Sequence, residues 1–272
     1  MLRSLWTAAS GMIAQQTSVD TIANNLSNVN STGYKTERAE FKSLLYQTLQ
    51  TKTTTANGEN KPIGAQVGLG VRNSSIESKF TQGILTETGA DTDYAIEGEG
   101  FFAIRGTDGE IYYTRNGHFN FSVNNNGGMT LTNDAGCPVL DVNGNAIELG
   151  PQYQMNRVGM TTDGKLTYKD ANNNAQPIGI QIGLYQFNNP AGLTKTSGTQ
   201  YQESEASGPV LNEQTLAQNQ RSMVHQGYLE GSNVQVADEM VNLIVAQRAY
   251  EMNSKAIQAA DEMMGQANSL RR

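Results

Sequence analysis

The sequence predicts an α+β protein: N- and C-terminal coiled-coil helices form one domain, with an all-β domain and an extended arm inserted between them. Three observations predict it. From Leu5, the residues Ala9, Met12, Gln16, Val19, Ala23 and Leu26 follow at alternating steps of four and three. Near the other end Val236, Met240, Leu243, Gln247, Tyr250, Ser254, Ile257 and Met264 repeat that rhythm, the spacing of a helical seam. Between them, short β-rich runs alternate with Gly and Asn turn sequences. Neither stripe is satisfied alone in water, so the helices are expected to pack on each other with the chain looped out between them. Gln16, Gln247 and Ser254 interrupt the stripes, and polar seam residues fix one stagger at a cost in stability. The residues alone therefore suggest a self-assembling structural protein.

The first helix is expected to start with Ser4 as its cap and to run to about Asn28, where the run from Asn28 to Gly33 supplies helix-ending residues. From Tyr34 to Leu49 the sequence is mixed in sign and fits a short helix or an extended arm equally well. Gln50 to Gly70 is rich in Thr, Gly and Asn and buries too little apolar surface to hold its own shape. It reads as a linker, or as an arm that orders against a partner.

Strands begin at Val71, with short runs at 94–96, 101–104, 111–113 and 118–123 bounded by Gly, Asp and Asn. Turn sequences stand at 124–128, Asn143-Gly144, Asp163-Gly164 and 172–174, since Gly and Asn tolerate positive φ. Ile178, Ile180, Ile182 and Leu184 mark one further strand reaching Phe187. A polar stretch then leads to the last helix, whose start at Ser232 to Gln235 has the form of a capping box. At ~1.5 Å per residue a helix of about 35 residues spans ~50 Å. The expected division is 1–35 with 225–272 as the helical assembly domain, 36–84 as arm, 85–200 as β domain and 201–224 as a return loop.

Composition narrows the function. The 272 residues carry a net charge of −7, which speaks against nucleic acid, because phosphate binding needs clustered Lys and Arg. No apolar run nears the ~20 residues that cross a bilayer, so the chain is not expected to be membrane-embedded. No Sec-type leader is expected at the start. One cysteine, Cys137, allows no intrachain disulfide and reads as a buried small hydrophobe.

Catalytic and metal chemistry find no foothold. His118 and His225 are far apart, and a zinc site needs three or four ligands. The run from Asp141 to Asn145 opens like a calcium loop, but Ala146 stands at its sixth position, so it reads as a turn. Gly98-Glu99-Gly100 is too short for a dinucleotide fingerprint. No enzyme activity, metal or cofactor is expected.

Four stretches carry a family resemblance: ANNLSNVNSTGYK from Ala23 to Lys35, IEGEGFF from Ile96 to Phe102, YTRNGHF from Tyr113 to Phe119, and GYLEGSNVQV from Gly227 to Val236 running into QRAYEMNSK up to Lys255. In these the chain resembles the bacterial flagellar rod and hook family, and Pro62 to Gly68 and Asn189 to Leu193 resemble its distal-rod members. Asn24, Asn25, Leu26, Asn28, Gly33, Tyr34 and Lys35 form the family motif after the first helix. The resemblance implies a structural subunit that polymerises with copies of itself into a helical tube, the drive shaft between motor and hook. It implies the other rod and hook subunits as partners, and delivery by the flagellum's own export apparatus. A hook or proximal rod subunit remains the alternative.

Overall fold

The computed structural model describes residues 2–50, 65–124, 127–170, 174–197 and 199–270. Residues 51–64, which include Pro62 and most of the expected linker, lie outside the described residues, as do parts of the turns expected at 124–128 and 172–174. In chain order, α1 is Leu2–Ser27, followed by β1 (Glu37–Ser43), β2 (Tyr46–Gln50), β3 (Ala65–Gly68) and β4 (Val71–Ser78). Next come β5 (Leu85–Glu87), β6 (Tyr94–Glu97), β7 (Phe101–Arg105), β8 (Ile111–Thr114), β9 (Asn120–Val123) and β10 (Met129–Thr132). Then follow β11 (Glu148–Leu149), β12 (Val158–Met160), β13 (Lys165–Lys169), β14 (Ala175–Gln181) and β15 (Leu184–Gln186). The last elements are β16 (Thr194–Ser197), β17 (Gln200–Gln202), β18 (Leu211–Asn212), β19 (Met223–Gln226), β20 (Tyr228–Glu230) and α2 (Val236–Ser269).

These elements form two compact units. One contains 1–27, 37–77 and 235–272; the other contains 28–36 and 78–234. The first holds both terminal helices, as the stripes anticipate. They run antiparallel: Asn25 near the end of α1 donates to Glu239 near the start of α2 at 3.1 Å, while Gly11 lies against Asn253, where a Cβ would sit 2.8 Å from its amide nitrogen. The most buried helix positions are Ala8, Ala14, Thr21, Ile22 and Asn25 on α1 and Glu239, Ala246 and Ala260 on α2. Small side chains there let the two backbones approach closely.

The stretch from Tyr34 to Leu49, open between helix and arm in the sequence, is extended. β1 pairs with β4 and β2 with β3, with Tyr46 opposite Gly68. The base of this ladder is tied to α1 by Val71 N–H donating to Ser10 Oγ at 3.3 Å. Asn25 completes the attachment by donating to the Glu37 carbonyl at 2.8 Å and accepting from the Glu37 N–H at 2.9 Å.

Two helix-start expectations are overturned. α1 already begins at Leu2, so Ser4 is inside its first turn and not its cap. α2 begins at Val236, with no side-chain cap at Gln235. The capping box fails because the helix starts four residues beyond Ser232, whose Oγ accepts from the Val234 N–H at 3.3 Å; beside it, Asn233 Oδ1 accepts from both the N–H and hydroxyl of Thr36. Its amide donates to the carbonyls of Lys79 and Thr81.

In the second unit a six-stranded sheet runs β16-β17-β8-β7-β15-β18, beside three-stranded sheets β11-β10-β9 and β12-β13-β14. β7 shows why its sequence is a continuous apolar run. Phe102 and Ile104 enter one core with Tyr94, Phe119, Leu131, Val139 and Ile147, while Phe101 and Ala103 enter another with Tyr113, Leu140 and Tyr201. Side chains alternate across a strand, and both faces of this one are covered. The strand expected from Ile178 to Phe187 is two strands in different sheets, since β14 pairs with β13 and β15 with β7. The chain turns between them at Gly183, where a Cβ would meet the Asp141 carbonyl at 2.7 Å.

The unit also reaches past the expected β-domain boundaries. The stretch expected as a return loop, 201–224, supplies part of β17, all of β18 and the buried Val224 of β19. Cys137 is buried, as its surroundings in sequence suggest. Asp141 Oδ1 accepts the N–H groups of Asn143 and Asn145, so the calcium-like run is a turn.

Tyr94 is fully buried, yet its hydroxyl has no hydrogen-bond partner among the described residues. An unsatisfied buried polar group costs about 1–3 kcal/mol. Tyr94→Phe is therefore expected to raise stability by about 1 kcal/mol, read from the shift in the denaturant midpoint.

Candidate functional site

The four motifs meet at one carboxylate within the second unit. Glu230, on β20, is 1% exposed. One of its oxygens accepts from Lys35 Nζ at 2.5 Å and from the Gly83 N–H at 2.8 Å. The other accepts from Arg115 Nη1 at 3.3 Å. Lys35 donates further to the Thr81 carbonyl, and Arg115 to the Gly98 carbonyl at 2.7 Å. Lys35 comes from the first motif, Gly98 from the second, Arg115 from the third and Glu230 from the fourth.

The sequence builds this cluster locally before it closes globally. β20 pairs antiparallel with β5, which sets the Glu230 backbone, and β19 pairs with β6. Gly33 adopts φ +68°, and a Cβ there would lie 2.6 Å from the Asn116 nitrogen, so glycine lets the 28–36 segment lie flat on the Arg115 turn. Gly33 N–H donates to the Glu230 carbonyl at 2.8 Å and Asn233 N–H to the Tyr34 carbonyl at 3.4 Å. Tyr34 is buried, with Lys195 Nζ over its ring at 4.8 Å.

The electrostatics are lopsided, because two cations share one anion. Burial pushes the Lys35 ammonium below its ordinary value, and the neighbouring Arg115 adds to that, while Glu230 opposes both. Arg115 is likewise lowered, by burial first, against the pull of Glu230. A paired, hydrogen-bonded cluster of this kind tolerates removal of a member badly. Its chemistry is that of a fastener: Lys35 and Arg115 donate to Glu230 and to the Thr81 and Gly98 carbonyls, and Arg115 Nε is buried with no partner among the described residues.

Buried tyrosines give the unit a pH signature. Tyr113 is pushed up to about 12, by burial first and by Glu203 next. Tyr94 and Tyr185 are also raised, chiefly by burial. The folded chain then keeps protons that an unfolded chain releases near pH 10. Stability is whole below about pH 10 and falls as pH rises through 12, by up to roughly 1.4 kcal/mol per pH unit for each such group. Lys35 and Arg115, both lowered, act in the opposite sense and blunt that fall. Denaturant midpoints between pH 8 and 12, with tyrosinate absorbance as a second readout, should show that fall.

Of the motif residues expected after the first helix, Asn24 donates to a Glu37 carboxylate oxygen at 3.0 Å and Asn28 accepts from Ser31. Leu26 is half-buried. Arg115, Glu230, Asn233 and Glu239 are the partners that single-residue reading missed. All but Glu239 stand inside the quoted motifs, yet only the fold reveals that they face one another.

The seam residues form a second candidate surface, on the helical unit. Leu5, Ala9, Met12, Val19 and Leu26 are half-buried, whereas Gln16 and Ala23 are exposed. On α2, Leu243, Ser254, Ile257 and Met264 are half-buried, and Val236, Met240, Gln247 and Tyr250 are exposed. The most buried helix positions therefore lie beside the stripes and not on them. Gln16, Val19, Gln247 and Tyr250, with Glu251, line a shallow groove between the two helices. Trp6, Ile13, Val241, Ile244, Val245 and Met252 stand on the helix surfaces, each more than half exposed.

His118 pairs with Asp93 at 2.7 Å and His225 with Glu97 at 2.7 Å. Among the described residues no group of three His, Cys, Asp or Glu side chains could hold a metal ion, and no helix is long and apolar enough to cross a membrane.

Comparison with known proteins agrees with the motifs. Residues 5–35 match the family described as flagella basal body rod protein, 95–168 the flagellar hook protein FlgE/F/G D1 domain, and 225–270 the flagellar basal body rod FlgEFG protein C-terminal family. The flagellar basal-body rod protein FlgG of Borreliella burgdorferi is 44% identical, covering 100% of both chains. The FlgG of Agrobacterium fabrum is 42% identical over 96% of this chain and 97% of its own, and that of Bacillus subtilis 37% over 100% of both. Motifs that converge on one buried cluster, and similarity that runs from end to end, lead to the same statement: the chain belongs to the flagellar basal-body rod protein family, among its FlgG members.

Proposed function

We propose that this chain is a non-catalytic structural subunit of the distal rod, which polymerises with copies of itself into a straight helical tube and carries motor torque to the hook. The observation that supports it most is the row of large apolar side chains left exposed on both helices, among them Trp6, Ile13, Ile244, Val245 and Met252. Contiguous exposed apolar surface marks an interaction surface, and a heterologous contact that does not close on itself builds an open helical polymer. The seam residues Val236, Met240, Gln247 and Tyr250, with Gln16 and Val19 across the groove, are proposed to meet helices of neighbouring subunits. Phe41, Tyr46, Leu49 and Ile76 on the β1–β4 ladder are also exposed. A two-stranded ladder is marginal alone in water, so its role is to brace a neighbour. The partners are other copies, the adjoining rod and hook subunits and the flagellar export apparatus, and the location is the basal body.

Full-length relatives named as rod proteins favour the rod over the hook. The test is electron microscopy of the purified full chain at high concentration. Straight tubes of uniform diameter are expected. Persistent monomers across concentrations and nucleating conditions would count against the proposal, and curved, supercoiling filaments would favour a hook.

A further inference from the structure

Residues 33–36 and 228–233 lie side by side in the β unit, tied by the Gly33–Glu230 and Tyr34–Asn233 backbone bonds and by the bonds of Thr36 to the Asn233 side chain. The segment 223–230 also supplies the strand partners of β5 and β6, each of which otherwise stands in no sheet among the described residues. By contrast, the β7–β8 pair and the two cores beside it contain no member from 28–36 or 227–233 among the described residues, although Val224 of β19 enters one core and Arg115 lies over the Phe101 ring of the other.

We propose that Lys35, Arg115 and Glu230 form a latch, so that docking of residues 28–36 and 227–233 around Glu230 is a closing step separate from formation of the β7–β8 core. The charge balance requires it. Without Glu230, two cations would share a site in which Lys35 and Arg115 are no more than 2% exposed. They would repel each other with neither cation's carboxylate partner in place, so the site stays open until Glu230 arrives. Arg115 is ready early, because it belongs to the turn that follows β8, but without Glu230 the Lys35 ammonium keeps the Thr81 carbonyl and loses its charged partner. It follows that a chain emerging N-terminus first leaves its 28–36 segment undocked until Glu230 has been delivered. This holds for release from a ribosome or through any channel, and does not rest on the proposed function.

The test is native-state amide exchange and amine modification of the full wild-type chain at rising, sub-denaturing denaturant. Lys35 should become reactive, and the amides of Gly33, Gly83 and Gly231 should open together, while those of Phe102 and Ile104 remain protected. In Glu230→Gln the same groups should open without denaturant, with Lys35 modified at least about a hundredfold faster. Opening of Lys35 and Gly33 only in the same transition as Phe102 would overturn the latch. So would a Glu230→Gln chain in which Lys35 reacts as slowly as in the wild type. If that variant does not fold, the wild-type experiment decides alone.

Discussion

Deletion of residues 1–27 should abolish polymerisation and leave the β unit as stable as before, whereas deletion of residues 1–36 should also destabilise that unit by opening the junction around Glu230. The boundary follows from where the contacts go. α1 packs on α2 through Ala8, Ala14, Thr21 and Asn25, so its loss strips α2 of that partner and removes one side of the Gln16–Tyr250 groove. Residues 28–36, however, belong to the β unit. Lys35 in that segment is fully buried against Glu230, and Gly33 and Thr36 bond to Glu230 and Asn233. Light scattering and electron microscopy read the assembly, and near-ultraviolet circular dichroism of the buried tyrosines, followed through denaturation, reads the stability of the unit. Tubes formed by the shorter deletion, or equal stability of the β unit in the two deletions, would contradict the assignment.

Glu230→Gln should destabilise the β unit by about 3–5 kcal/mol, the cost of leaving buried charge without its partner. Lys35→Met should cost less, about 1.5–3 kcal/mol, the worth of a charged hydrogen bond. The ordering is the informative part. Removing the anion strands two buried cations, whereas removing Lys35 leaves the neutral Arg115–Glu230 pair intact, and Gly83 still finds its acceptor. Chemical denaturation of the full chain, monitored by a probe in the β unit, gives both values. Equal costs for the two variants would mean that packing, and not charge, decides the stability of the junction.

The groove lined by Gln16, Val19, Gln247 and Tyr250 shows where sequence periodicity is informative and where it stops. A heptad stripe identifies the face of a helix to within a residue or so, since steps of three and four cover a band wider than one side chain. Both stripes lie beside the contact actually made within the chain. The small residues that make it, Ala8, Gly11, Ala14 and Ala246, carry almost no hydrophobic signal. Asn233 illustrates a different limit. In the sequence it stands inside the expected capping box, but its side chain makes five hydrogen bonds to Thr36, Lys79 and Thr81, which only the fold brings beside it.

The amino-acid order by itself determined the two terminal helices, the β-rich middle, the turn at Asp141 and, through four short motifs, the family. Each of these rests on local spacing or local backbone preference, which neighbours along the chain decide. Only the tertiary structure decided that Lys35, Arg115 and Glu230 share one buried site, that 28–36 belongs to the β unit, and that the run from Ile178 to Phe187 divides between two sheets. Those outcomes depend on which distant segments come within hydrogen-bonding range. A buried charge has no meaning until its counterion, almost two hundred residues away for Lys35, has been placed.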